Sequence, residues 1–119
     1  MKKIGIIGSR RRNNHTDLFA VQDIFDEIFN EGDEIVSGGC PKGGDHFAEI
    51  IAKDKGVPIK IYYPDWKRYN RSAGFERNFM IASESTILIA CVAEDRTGGT
   101  EDTIKKFKKL HPKNEVYLV

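Results

Sequence analysis

Short apolar runs alternate with longer stretches of helical periodicity along the whole chain, and this alternation restricts the fold more than any other feature. The apolar runs are KIGIIG at Lys3–Gly8, EIVS at Glu34–Ser37, IKIYY at Ile59–Tyr63, TILIAC at Thr86–Cys91 and EVYLV at Glu115–Val119. After the first run, Leu18, Val21, Ile24, Phe25, Ile28 and Phe29 recur at spacings of three and four, which places them on one helical face. Thr16 or Asp17 suits the start of that helix and Gly32 its stop. A second helix is expected from about Asp45 to Lys55, ended by Gly56 with Pro58 just beyond. A third covers Ala73–Ser83 with Phe75, Phe79 and Ala82 on one side. A fourth covers Thr100–Leu110, capped by Thr100 and burying Ile104, Phe107 and Leu110. Asp65–Ser72 reads as a polar loop carrying two aromatic rings.

Strict strand–helix alternation is the pattern of βαβ units, whose right-handed crossovers build a parallel sheet. The expected fold is therefore α/β and Rossmann-like: a doubly wound, five-stranded parallel sheet in the order 3-2-1-4-5, with helices on both faces. TILIAC is nearly all apolar, as a central strand covered on both sides must be. The 119 residues contain no repeat, linker or low-complexity tract, so a single domain spans 1–119. In such sheets ligands bind outside the carboxyl ends of the strands, where the winding reverses, here between the first and fourth strands.

Composition removes several classes of function. Nineteen basic and 18 acidic residues leave a net charge of +1, so no global field draws the chain to nucleic acid or to a membrane surface. No apolar run approaches the roughly 20 residues that a membrane span requires. Met1-Lys2-Lys3-Ile4 runs straight into a strand pattern that lacks the features of a signal peptide. Cys40 and Cys91 make neither a disulfide framework nor a metal quartet, and His15, His46 and His111 lack metal-ligand spacing. A reducing, cytoplasmic location is expected, with no metal and no cofactor.

Three loops follow the first, second and fourth strands. The first, Gly8-Ser9-Arg10-Arg11-Arg12-Asn13-Asn14, combines a glycine with hydroxyl and guanidinium donors suited to phosphate, Arg10 above all; a solvated basic loop would have the same composition. The second carries four glycines between Gly38 and Gly44, namely Gly38, Gly39, Gly43 and Gly44, and ends at Asp45. It joins a strand to a helix, where exposed N–H groups and the helix dipole favour an anion. It matches neither the P-loop nor the G-x-G-x-x-G pattern. Asp45 there can cap the helix or contact a ribose hydroxyl. The third, Thr97-Gly98-Gly99-Thr100, again opens a helix and can hold phosphate on the Gly98 and Gly99 backbone and the Thr100 hydroxyl. Trp66 or Tyr69 can stack on a base or simply pack at a rim. Arg77 sits among apolar neighbours and needs an anion, whether a bound phosphate or Glu76 or Glu101.

The order GSR at 8–10, GGCPKGGD at 38–45, PDW at 64–66, AGFERNFM at 73–80 and TGGT at 97–100 resembles the SLOG superfamily of Rossmann-like nucleotide-binding proteins, and within it the short single-domain group related to YspA. The resemblance runs over essentially the whole chain. The superfamily also contains the LOG-type phosphoribohydrolases, which release a base from nucleoside monophosphates and carry an M-x-x-R-K helix and a P-G-G-x-G-T-x-x-E loop. Gly74–Asn78 resembles the first signature, which puts Arg77 on its functional arginine and Asn78 beside it. Gly98–Thr100 resembles the second only in part: no proline precedes the glycines, the x-G step is missing, and Thr103 stands where the glutamate would be. What the resemblance implies is therefore ligand binding more than catalysis. The DNA-processing protein DprA belongs to the same superfamily, and the near-neutral charge here gives a nucleic-acid partner little support.

The expected partner is a nucleotide or a nucleotide-derived sugar phosphate, bound as by a sensor or carrier; a homo-oligomer is compatible with this. One alternative is an N-glycosidase of nucleoside monophosphates, with Arg77, Glu101 and Asp102 as candidate catalytic residues. Another is a single-stranded nucleic-acid binder using Arg10–Arg12, Trp66 and Tyr69.

Overall fold

The computed structural model describes residues 1–119. Five parallel strands, β1 (Lys3–Gly8), β2 (Glu34–Ser37), β3 (Ile59–Ile61), β4 (Ile87–Cys91) and β5 (Val116–Leu118), form one sheet in the order β3-β2-β1-β4-β5. The central pair is β1–β4, with Ile4 opposite Ile87 and Gly8 opposite Cys91. The fold is thus the doubly wound, Rossmann-like α/β arrangement that the alternation implies.

The period-two alternation of the strands divides the core into two layers. Ile4, Ile6, Ile35 and Ile89 face helices α1 (His15–Ile28) and α2 (Gly44–Lys55), where they pack with Val21, Phe25, Phe47 and Ile51. Ile7, Val36, Leu88 and Ala90 face α4 (Ala73–Glu84) and α5 (Gly99–Leu110), where they pack with Ile81, Ala82, Ile104 and Phe107. No helix is long and apolar enough to cross a membrane.

Several local expectations are corrected. The N-cap of α1 is Asn14, not Thr16 or Asp17: its side chain accepts from the Asp17 N–H at 2.8 Å, and Asp17 reaches back to the Asn14 N–H, closing a capping box. Phe29 caps the other end of α1, and Gly32, at φ +94°, serves the turn into β2. IKIYY pairs only over Ile59–Ile61. Asp65–Ser72 is not a plain loop: Asp65 accepts from the Arg68 N–H and starts a one-turn helix α3 (Trp66–Tyr69), followed by a 3-10 turn over Asn70–Ser72. On α4 the buried side is Ala73, Asn78, Ile81 and Ala82, while Phe75 and Phe79 lie exposed, Phe75 with the Lys106 ammonium of α5 over its ring at 5.2 Å. Leu110 is likewise exposed at the last turn of α5.

Asp33 ties the start of β1 to the turn before β2. Its buried carboxylate accepts from the Lys2 N–H at 2.7 Å and the Asn30 N–H at 2.9 Å, and pairs with the Lys2 ammonium at 2.8 Å. Burial by itself pushes this carboxyl up, but the Lys2 ammonium and the Lys2 and Asn30 N–H groups outweigh it and hold it below the usual range. A carboxyl lowered in the folded state adds stability above its unfolded value and loses it as pH falls, here below about pH 4. Asp33→Ala leaves the Lys2 and Asn30 donors unpaired and is expected to lower unfolding free energy by about 2 kcal/mol at pH 7, with a smaller loss near pH 3. Urea denaturation at both pH values measures this, and an equal loss at both would remove the ionic part of the account.

Candidate functional site

Gly8 ends β1 at a crowded junction: a Cβ on it would lie 2.9 Å from the Cys91 side chain, the Cys91 carbonyl oxygen and the Gly44 nitrogen. The chain then leaves the sheet, and the Ser9 N–H donates to the Cys91 carbonyl at 2.9 Å, which ties this loop to the end of β4. The three arginines that follow have separate fates. Arg12 points inward, donating to Asp17, to the Val92 carbonyl at 3.0 Å and to the Val119 carbonyl at 2.7 Å. Arg11 makes two parallel bonds to Asp95 at 2.9 and 2.8 Å and another to the Thr97 hydroxyl, clasping the β1–α1 loop to the β4–α5 loop. The Arg11 guanidinium holds the Asp95 carboxyl well below the usual carboxylate range. Arg10 alone faces a cavity with no carboxylate of its own.

That cavity measures about 740 Å³ and opens outside the carboxyl ends of the strands, where the winding reverses. Of the residues singled out in the sequence, Gly8, Ser9, Arg10, Gly38, Gly39, Asp45, Trp66, Arg77, Asn78, Gly98, Gly99 and Thr100 line it. Three stretches far apart in the chain and one helix, α4, thus meet on one volume within the range typical of small-molecule sites.

Gly43 and Gly44 do not line it. Their absent side chains serve packing instead: a Cβ on Gly43 would meet the Ser9 carbonyl oxygen at 2.3 Å, and the Gly43 N–H already donates to Asn13 Oδ1 at 2.7 Å. Gly43 is also the N-cap of α2, which makes Asp45 the second helical residue and not the cap. The Asp45 carboxylate folds back over the glycine loop, accepting from the Cys40 N–H at 3.1 Å and lying 3.1 Å from the Ser37 hydroxyl. Burial pushes this carboxyl up; the Cys40 N–H, the Arg77 charge and the Ser37 hydroxyl pull the other way without cancelling the rise.

Arg77 is half-buried, and neither Glu76 nor Glu101 pairs with it. Its Nη1 donates to the Gly38 carbonyl at 2.7 Å and its Nε to Asn78 Oδ1 at 2.9 Å. Asn78 in turn donates to Asp102 at 3.0 Å and locks α4 to α5.

The N-terminus of α5 is capped by Gly98 and has no side-chain cap. Thr100, expected to be that cap, is the second residue of the helix. The two acids beside it are engaged elsewhere: Glu101 takes a two-point bond from Arg96 at 2.8 Å, and Asp102 binds Asn78 and Lys106. Neither lines the cavity; Thr103 does, with its hydroxyl donating to the Gly99 carbonyl at 3.3 Å. Asp45 is the single carboxylate on the wall. Tyr69 is off the wall with Arg68 over its ring, whereas Trp66 stands at the mouth, 60% exposed.

Cys40, Pro41, Pro64 and Thr97, to which the sequence assigns no ligand contact, are also on the wall; nothing in their spacing distinguishes a loop residue that faces a cavity from one that faces water. Cys91 is fully buried in the core, where burial raises its thiol pKa. Comparison with protein families, with curated proteins and with solved structures returns no match.

Proposed function

We propose that this protein binds a nucleotide or a nucleotide-derived sugar phosphate in the cavity between β1 and β4, as a sensor or carrier and not as a hydrolase. The carrying observation is that two guanidinium groups, Arg10 and Arg77, reach the wall without a paired carboxylate, in a cavity that also receives the uncapped N-terminus of α5. Cations and free N–H groups gathered at one point favour an anion. In this reading the phosphate lies at Ser9, Arg10 and Gly98–Thr100, and Trp66 is placed to cover the base. The motif order supports placing the chain in the SLOG superfamily, and free, unpaired Cys40 and Cys91 suit a reducing cytoplasm.

The hydrolase alternative needs a carboxylate beside the anomeric carbon to stabilise the positive charge that develops on the ribose. Glu101 and Asp102 are both tied to cations outside the cavity. Incubation with AMP, GMP, CMP or UMP is therefore expected to release no base above the protein-free rate, as read by chromatography. Robust turnover that is lost in Glu101→Gln or Asp102→Asn, with binding retained, would overturn the choice. Native mass spectrometry of the purified protein tests the binding itself: a retained mass in the nucleotide range supports it.

A further inference from the structure

We propose that Asp45 and Arg77 form a hydroxyl-reading subsite, so that the cavity selects ligands carrying a ribose diol over their deoxy counterparts. This rests on the nucleotide reading above and adds to it the part of the ligand that is recognised between phosphate and base.

A carboxylate is the wrong group to face a phosphate, yet Asp45 stands on the cavity wall and is only 7% exposed. It has no salt bridge, and a buried carboxylate in that position needs donors. Oδ2 has the Cys40 N–H. Oδ1 has the Ser37 hydroxyl at 3.1 Å, which also lies 2.6 Å from the Ile6 carbonyl. A carboxylate oxygen can accept more than one bond, so each oxygen keeps room for a ligand hydroxyl.

Across the gap, Arg77 uses Nε and Nη1 on the protein, while Nη2 meets no protein acceptor. Gly38 lies between the two groups and lets both approach. A Cβ on it would lie 2.7 Å from Asp45 Oδ2 and 2.9 Å from Arg77 Nη1, so only glycine lets the carboxylate and the guanidinium close in on the same piece of backbone. A phosphate, which only accepts, satisfies Arg77 and repels Asp45. A hydroxyl both gives and receives, and two adjacent hydroxyls satisfy both groups together: one donates to the carboxylate while its neighbour accepts from the guanidinium.

Calorimetric titration with the four ribonucleoside 5′-diphosphates and their 2′-deoxy and 2′,3′-dideoxy counterparts tests this. For the base that binds best, the ribo form is expected to bind about tenfold or more tightly than the dideoxy form, the loss belonging to a bond with a charged acceptor. Asp45→Asn should bring that ratio close to one by weakening the ribo form alone, and Gly38→Ala should do the same by forcing the two side chains apart. Unchanged affinity for the dideoxy form shows that a variant is folded; if neither variant folds, the wild-type ratio decides. Equal wild-type affinity for ribo and dideoxy forms would overturn the subsite and leave nucleotide binding intact. Absence of binding by every member of the panel would overturn both.

Discussion

Gly44→Ala is expected to lower the stability of the domain by at least about 3 kcal/mol, or to prevent folding, although it adds a single methyl group to a helix. Helix propensity alone predicts the opposite, since alanine is the better helix former by about 1 kcal/mol. The reason lies across the junction of α2 with β1. A Cβ on Gly44 would stand 2.1 Å from the Ile7 carbonyl carbon and 2.3 Å from the Gly8 nitrogen, and both are backbone atoms of a central strand. No side chain there can turn aside, so α2 must withdraw from the sheet and take Phe47 and Ile51 out of their layer. For a domain with a total stability of about 5–15 kcal/mol, that loss is large. Gly74→Ala is the matched control: Gly74 lies near the start of α4 with nothing within 4 Å of the added carbon, and the change should stabilise by about 0.5 kcal/mol. Urea denaturation followed by circular dichroism compares the two. A Gly44→Ala protein within about 1 kcal/mol of wild type would mean that α2 is not pressed against β1 as described.

Gly99→Asp is expected to do the reverse, leaving the fold intact while removing ligand affinity. The nearest group to a Cβ at Gly99 is the Asn78 amide at 3.9 Å, so the side chain fits. An acidic residue in the first turn also suits the α5 dipole. The same carboxylate, however, occupies the wall where the phosphate is proposed to lie. Two negative charges at about 4 Å repel by roughly 4 kcal/mol at an effective dielectric constant near 20, so affinity should fall at least 100-fold while the unfolding midpoint stays level or rises. Loss of binding together with loss of stability would instead point to a damaged fold.

How much of this was legible in the sequence depends on the range of the interaction concerned. The strand order, the pairing of β1 with β4 and the convergence of three loops follow from apolar periodicity and crossover handedness, both of which are local or general. The sequence favours Arg10 among the three arginines but does not show where Arg11 and Arg12 go: apart from Asp17, which Arg12 reaches five positions on, their partners Asp95 and the Val92 and Val119 carbonyls lie 80 or more positions away. Hydrophobicity alone groups Phe75 and Phe79 with Ala82 on one side of α4, but both rings are exposed. The buried stripe instead carries the polar Asn78, whose amide and carbonyl are both satisfied by neighbours that only the fold supplies. Gly43 and Gly44 matched a ligand loop in composition, but a glycine that admits a ligand and one that admits a strand are the same residue in sequence. The helix starts shifted by one to three residues because Asn14, Gly43 and Gly98 capped in place of Thr16 or Asp17, Asp45 and Thr100.

The central claim is that an anionic nucleotide sits where the β1, β2 and β4 loops meet, and an amide-resolved titration of nitrogen-15-labelled protein with the ribonucleoside mono- and diphosphates tests it most directly. Saturable shifts are predicted at the Ser9, Arg10, Gly98, Gly99 and Thr100 amides and at the Trp66 indole, with α1 unmoved, and Gly99→Asp should abolish them at the same concentrations. Shifts that never saturate, or that map to α1 and survive Gly99→Asp, would contradict the account.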